Sequence, residues 1–170
     1  MDLKLEGQIT LLISLTTEDL EDQMVDPKRT GKRYDLVGAL ESPDEHMRKI
    51  LGIKLAKMEE VPEMAMYSTY FLIVAKETKV ILGTIGFKGA PDETGTIEVG
   101  YGIQEAYRCM GYMTDALKTF TAFGLSLPGV QKVIACTSKK NTASCRVLEK
   151  AGYKRIYEAE DLYVWRYVQS

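Results

Sequence analysis

Apolar positions along the chain follow two periods. The stretch "ITLLISLT" (residues 9–16) is a short apolar run that reads as a strand and gives way to the polar "TEDLEDQMVD", which reads as an acidic helix. In "TYFLIVAKETKVILGTIGF" two apolar runs are separated by "KETK", the pattern of an antiparallel hairpin whose first strand is buried on both faces. "GTIEVGYGI" and "VQKVIACTS" read as further strands, and "YKRIYEA" and "DLYVWRYV" as two short strands at the end.

Between these runs the period lengthens to that of a helix. In "SPDEHMRKILGIKLAKM", Met47, Ile50, Leu51, Leu55 and Met58 share one face, with Ser42 expected as N-cap, Pro43 at the first helical position and Glu45 closing a capping box. After Gly111, residues Met113, Ala116, Leu117, Phe120, Phe123 and Leu127 keep a core face until Pro128 and Gly129 stop the helix. "NTASCRVLEKAG" has Asn141 as N-cap, Val147, Leu148 and Ala151 on one face, and Gly152 as its stop. The order is strand, helices, hairpin, strand, helix, strand, helix and two strands. That is an α/β chain with a mixed sheet, read as one domain over residues 1–170 because 170 residues supply one proper core.

Composition narrows the partners. A net charge of −2 and a pI near 5.6 argue against nucleic acid, whose phosphates require Lys and Arg in excess on one face. Cys109, Cys136 and Cys145 form no CxxC pair, the pattern of reduced thiols. The start "MDLKLEGQIT" has no basic region followed by an apolar core, and no apolar run nears the roughly 20 residues that cross a bilayer. The expectation is a cytoplasmic protein with no membrane segment. His46 has no partner at metal-ligand spacing, so no metal is expected.

The turn before the long helix carries the chemistry. In "EAYRCMGYMTDAL", Arg108 stands three residues ahead of Gly111. A helix start leaves about four amides unpaired and carries about half a positive charge, so it suits an anion. Gly111 leaves room for one and Arg108 adds charge. No G-x-x-x-x-G-K-[ST] loop occurs, and Glu105 stands where a dinucleotide loop beginning at Gly100 would need its third glycine.

"YRCMGYM" resembles the R/Q-x-x-G-x-G/A signature of GNAT-superfamily N-acetyltransferases. "NTASCRVLEKAGY" resembles the N-x-x-S-x-x-V-L-E-x-x-G-[FY] segment of their ribosomal-protein (RimJ/RimL-like) branch. The resemblance runs from about Ile9 to Val168 and departs at Met113, where the superfamily prefers Gly or Ala. It implies the GNAT fold, with a mixed, mostly antiparallel sheet of about seven strands flanked by helices. It also implies acetyl-CoA, with the pyrophosphate on the backbone of Arg108, Cys109, Met110, Gly111, Tyr112, Met113 and Thr114. The pantetheine would run beside Tyr101 and Ile103 toward Asn141 and Ser144, in a cleft where that strand parts from residues 133–136.

For catalysis, the resemblance makes Glu98 a candidate base, and Ser144 a candidate acid because Leu148 stands where a tyrosine acid is usual. Each has an ordinary alternative: an exposed strand carboxylate for Glu98, a first-turn serine for Ser144. Cys109 reads as filler, Lys139 and Lys140 as outer-phosphate contacts or exposed lysines, and Glu18, Asp19, Glu21 and Asp22 as a solvated helix face. At pH 7 roughly 0.04% of a lysine amine but about 10 to 15% of an α-amine is neutral. With so weak a set of bases, an N-terminal α-amine is the favoured acceptor. A polyamine, amino acid or antibiotic is the alternative acceptor, and a non-catalytic coenzyme A binding module the alternative role. "LYVWRYV" suits the edge of a homodimer or a sheet interior equally.

Overall fold

The computed structural model describes residues 3–169. Eight strands form one sheet: β1 (Lys4–Glu6), β2 (Thr10–Ser14), β3 (Tyr70–Ala75), β4 (Ile81–Phe87), β5 (Thr96–Ile103), β6 (Lys132–Ser138), β7 (Tyr153–Glu158) and β8 (Leu162–Tyr167). Their order across the sheet is β1-β2-β3-β4-β5-β6-β8-β7, antiparallel throughout except for the parallel pair β5 and β6. Five α-helices accompany them: α1 (Thr17–Val25), α2 (Lys28–Arg33), α3 (Glu45–Glu60), α4 (Tyr112–Ser126) and α5 (Thr142–Lys150).

The sheet has one strand more than the expected seven. The addition is β1, whose three residues are too few to show an alternation. β3 is buried from Phe71 to Ala75, in keeping with a strand covered on both faces. On one face, Leu51, Leu55 and Met58 of α3 and Leu20 of α1 pack on Ile13, Leu72, Val74 and Ile81. On the other, α4 lays Ala116, Leu117 and Phe120, all fully buried, over Phe71 and Phe87, with ring centroids 5.1 and 4.3 Å from Phe120. Leu148 of α5 and Trp165 of β8 extend that second core.

Two local expectations change, and one left open between two readings is decided. Ser42 is not the N-cap of α3. Asp44 caps it, accepting a hydrogen bond from the Met47 amide at 2.7 Å, and Glu45 is the first helical residue rather than the third. A carboxylate beside the positive helix end is at least as good an acceptor as a hydroxyl, and the helix starts where it sits. The acidic run of α1 is solvated only in part: Glu18 and Glu21 are exposed, whereas Asp19 and Asp22 are buried and both are paired with Arg33. "LYVWRYV" falls in β8, an interior strand between β6 and β7. No helix among the described residues is long and apolar enough to cross a membrane.

Candidate active site

The site is built where β5 and β6 part. Parallel pairing holds only from Thr96 with Lys132 to Glu98 with Ile134, although β5 continues to Ile103 and β6 to Ser138. Beyond Glu98 the edge of β5 that faces β6 has no partner strand. β6 continues to Ser138 with its other edge paired to β8 from Ile134 onward, while the edge toward β5 is left open. The opening joins a cavity of about 620 Å³ that reaches from α3 across the sheet to Asn141 and Ser144.

The residues of β5 divide between the two sides of this opening. Ile97 and Val99 are buried beneath α4, and Tyr101 continues their side. Its hydroxyl spans the gap to α5, 2.8 Å from the Ser144 Oγ and 3.4 Å from the Ser144 carbonyl oxygen. Burial pushes the Tyr101 phenol up to about 12, opposed by the Ser144 hydrogen bond. Ser144 is placed by the cap of α5, in which its amide donates to the Asn141 Oδ1 at 3.0 Å. Glu98, Gly100 and Gly102 occupy the opposite side of β5. A Cβ at Gly102 would meet nothing within 4 Å, so the backbone there lies open to a ligand.

Glu98 sits at the closed end. Its Oε2 lies 2.9 Å from the Lys88 Nζ, and its carbonyl accepts the Lys88 amide at 2.9 Å. It is not among the residues that line the cavity, whereas Lys88 and Cys136 are. Burial, followed by the nearby Glu98 charge, pushes the Cys136 thiol up, so Cys136 stays neutral beside the carboxylate.

At the other end of β5, a single 3-10 turn (Glu105–Tyr107) leads into Arg108 and the start of α4. Cys109 and Gly111 both take positive φ, 62° and 84°. Gly111 is the N-cap and brings no side chain, so the first-turn amides have no side-chain acceptor, and a Cβ there would meet nothing within 4 Å. The turn therefore fits a phosphate group, with Arg108, Cys109 and Met110 exposed around it. The Met113 side chain points into the core, 5% exposed, so only its backbone faces the turn. This removes the conflict of a large residue at that position.

Beneath the turn, Asp115 pins α4 to the β1–β2 connection. Its carboxylate accepts the amides of Gln8, Ile9 and Thr10 at 3.0 to 3.1 Å and the Thr10 hydroxyl at 2.6 Å. Burial opposes its charge, but these four donors outweigh it and hold the carboxyl below the usual range. Of the other candidates, Lys139 is engaged with Glu158 at 3.2 Å, and His46 lies exposed on α3.

Comparison with known proteins agrees with this geometry. Residues 10–154 match the family described as Acetyltransferase (GNAT) domain. The chain belongs to the GNAT acetyltransferase family. Among curated relatives, "Uncharacterized N-acetyltransferase YjdG" of Bacillus subtilis (strain 168) is 33% identical over 98 residues. That match takes in 58% of this chain and 58% of the relative, so the chain spans little more than half of that relative's length. Solved structures that share the GNAT fold include the following two. The GNAT-family acetyltransferase from Bacillus anthracis superposes with a TM-score of 0.65 at 19% identity, covering 96% of this chain and 97% of that one. RimL, the ribosomal L7/L12 alpha-N-protein acetyltransferase in complex with coenzyme A, gives 0.68 at 12% identity and 98% coverage of both chains.

Two parts of this GNAT site escaped sequence reasoning. The Tyr101 hydroxyl is the first: its partner lies 43 residues away, and no local pattern signals the pairing. The second is a set of lysines, Lys54 and Lys57 of α3 and Lys88 after β4, which line the cavity together. Their spacing on α3 was visible, but the meeting with Lys88 was not.

Proposed function

We propose that the protein is an acetyl-CoA-dependent N-acetyltransferase that passes acetyl directly to a primary amine, with a peptide or protein N-terminal α-amine as acceptor. The observation that carries this reading is the parted strand pair. It leaves an unpartnered backbone edge on β5, opening on a cavity that runs from the lysines of α3 to the Tyr101 and Ser144 hydroxyls. The name of RimL, an alpha-N-protein acetyltransferase, supports the choice of acceptor.

Acetyl-CoA supplies the thioester whose carbonyl carbon the amine attacks. Arg108 and the amides from Cys109 to Thr114 hold its pyrophosphate, with Asp115 keeping α4 in place behind them. Tyr101, Ile103, Asn141 and Ser144 border the pantetheine path. Free amides of β5 polarise the carbonyl oxygen. Glu98, directly or through water, takes a proton from the amine, so that the N–C bond forms as the C–S bond breaks.

The departing sulfur is met by the Ser144 and Tyr101 hydroxyls. A phenol at about 12 against an ordinary thiol near 8.5 makes full transfer from Tyr101 uphill by roughly 3.5 units, about 5 kcal/mol. The pair therefore donates hydrogen bonds to the thiolate, and the proton arrives from solvent. Leu148, fully buried in the core, does not leave the site without a hydroxyl, which argues against a module that only binds the coenzyme.

The test is release of free coenzyme A thiol from acetyl-CoA across peptides with free N-termini, N-terminally blocked peptides containing lysine, and small amines. Turnover confined to free N-termini is expected, and turnover of small amines alone would replace this reading. Tyr101→Phe should lower kcat by about tenfold while leaving coenzyme A affinity unchanged. Glu98→Gln should lower kcat most at low pH, and an unaltered pH–rate profile removes Glu98 from the mechanism.

A further inference from the structure

The acceptor side of the cavity is basic. Lys54, Lys57 and Lys88 line it, and no aspartate or glutamate does. Among the described residues, the one carboxylate ion-paired with any of the three is Glu98, held by Lys88. Lys54 is half-buried. Its Nζ donates to the Ser68 carbonyl at 2.9 Å and stands 4.2 Å over the Tyr70 ring, and neither partner carries a formal charge. Burial first, and then the charges of Lys57 and Lys88, lower the Lys54 ammonium to about 8. Lys54 is thus partly desolvated, with Lys57 and Lys88 exposed at the same cavity and one counter-charge, Glu98, among the three.

The coenzyme is not the missing anion here. Its phosphate turn at residues 108–114 does not line this cavity, and the acids Glu41 and Glu105 line the adjoining one, beside Arg108. We infer that this surface receives an acidic acceptor: a peptide N-terminus whose following side chains are carboxylates, seated against Lys54, Lys57 and Lys88. The inference rests on the N-acetyltransferase reading and names its substrate class. Lys54 and Lys57 stand one helical turn apart, side by side on α3, so they can receive two neighbouring carboxylates. The cavity of about 620 Å³ also takes in Tyr101, Asn141 and Ser144, so the acceptor shares it with the pantetheine path. Polyamines and aminoglycosides, being polycations, are repelled.

The experiment uses peptides that differ only after the first residue: Ser-Glu-Asp-Ala, its neutral counterpart Ser-Gln-Asn-Ala, and basic Ser-Lys-Arg-Ala. Free aspartate is included as the small anionic amine. Binding to the protein saturated with coenzyme A is measured by calorimetry, and turnover with acetyl-CoA separately. The acidic peptide is expected to bind at least about tenfold more tightly than the neutral one, with the advantage shrinking as salt is raised. Lys57→Glu, a change at an exposed helix position, should abolish that advantage and improve the basic peptide. Equal binding of acidic and neutral peptides overturns the inference, as does an advantage that survives Lys57→Glu. Preference for free aspartate over the acidic peptide overturns the peptide assignment. Tight acidic binding with no turnover of any amine leaves the inference standing and defeats the acetyltransferase reading instead.

Discussion

Two clusters of like charge lie on the α1–α3 side of the protein, and they are treated in opposite ways. In α1, Asp19 and Asp22 are buried, yet Arg33 of α2 reaches both, Glu18 adds a further contact to Arg33 at 3.3 Å, and Arg29 lies 3.6 Å from Asp22. Asp19 also accepts the Thr16 amide at 2.9 Å in a capping box, and Gln23 donates to the Thr30 hydroxyl at 2.9 Å. In the cavity, by contrast, Lys54, Lys57 and Lys88 share one carboxylate. A buried charge with every partner supplied holds two helices together. Charges gathered at a cavity with fewer counter-charges than cations are a cost to the fold that a ligand can offset.

The largest effect should come from breaking the paired cluster. Arg33→Ala leaves Asp19, fully shielded from solvent, without its guanidinium, and about 3 kcal/mol of stability is expected to be lost, read from the urea midpoint at constant slope. A loss under about 0.5 kcal/mol would erase the distinction between the clusters.

Asp115 offers an intermediate case, a carboxylate satisfied by amides and a hydroxyl rather than by a cation. Asp115→Ala should cost about 2 kcal/mol. Because the folded carboxyl lies below the unfolded value, its contribution is complete above about pH 5 and lost as pH falls through the folded value. The acid-side loss should therefore be shallower in the variant, as followed by thermal unfolding between pH 2 and 6.

Removing a cavity lysine should do the reverse. Lys54→Met is expected to leave stability at pH 7 unchanged or higher, by up to about 1 kcal/mol. The folded ammonium near 8 lies below the ordinary lysine value of 10.5, so the folded state holds fewer protons than the unfolded state between those values. Stability from this group accordingly rises with pH across that window. The rise should be absent in Lys54→Met, and an identical pH dependence would contradict the depressed lysine. Smallest of all, Lys57→Gln should change stability by less than about 0.5 kcal/mol, since Lys57 is exposed and has no carboxylate partner among the described residues.

Legibility of the site followed the range of the interactions that build it. The Arg108 to Gly111 turn, the Asn141 cap and the Gly152 stop each rest on contacts within a few residues, and a linear string carries them. The start of α3 shows the limit even at short range. Ser42 and Asp44 are both competent caps two residues apart, and local chemistry alone did not choose between them. The burial of Asp19 and Asp22 depended on Arg33, and their charge alone suggested the wetted surface that Glu18 and Glu21 do occupy.

By itself, then, the order of amino acids determined the alternation of strands and helices, the face each helix would bury, and a glycine turn open to an anion. Those properties follow from side-chain period and backbone freedom, which are local. Tertiary structure alone decided that β6 would part from β5 after Ile134 while β8 lines its other edge, that Tyr101 would reach Ser144 across the gap, and that Lys88 would join two lysines of α3. Each of these joins residues at least 24 positions apart along the chain. Such meetings are set by how helices and strands pack against a common sheet, and no window of sequence contains that information.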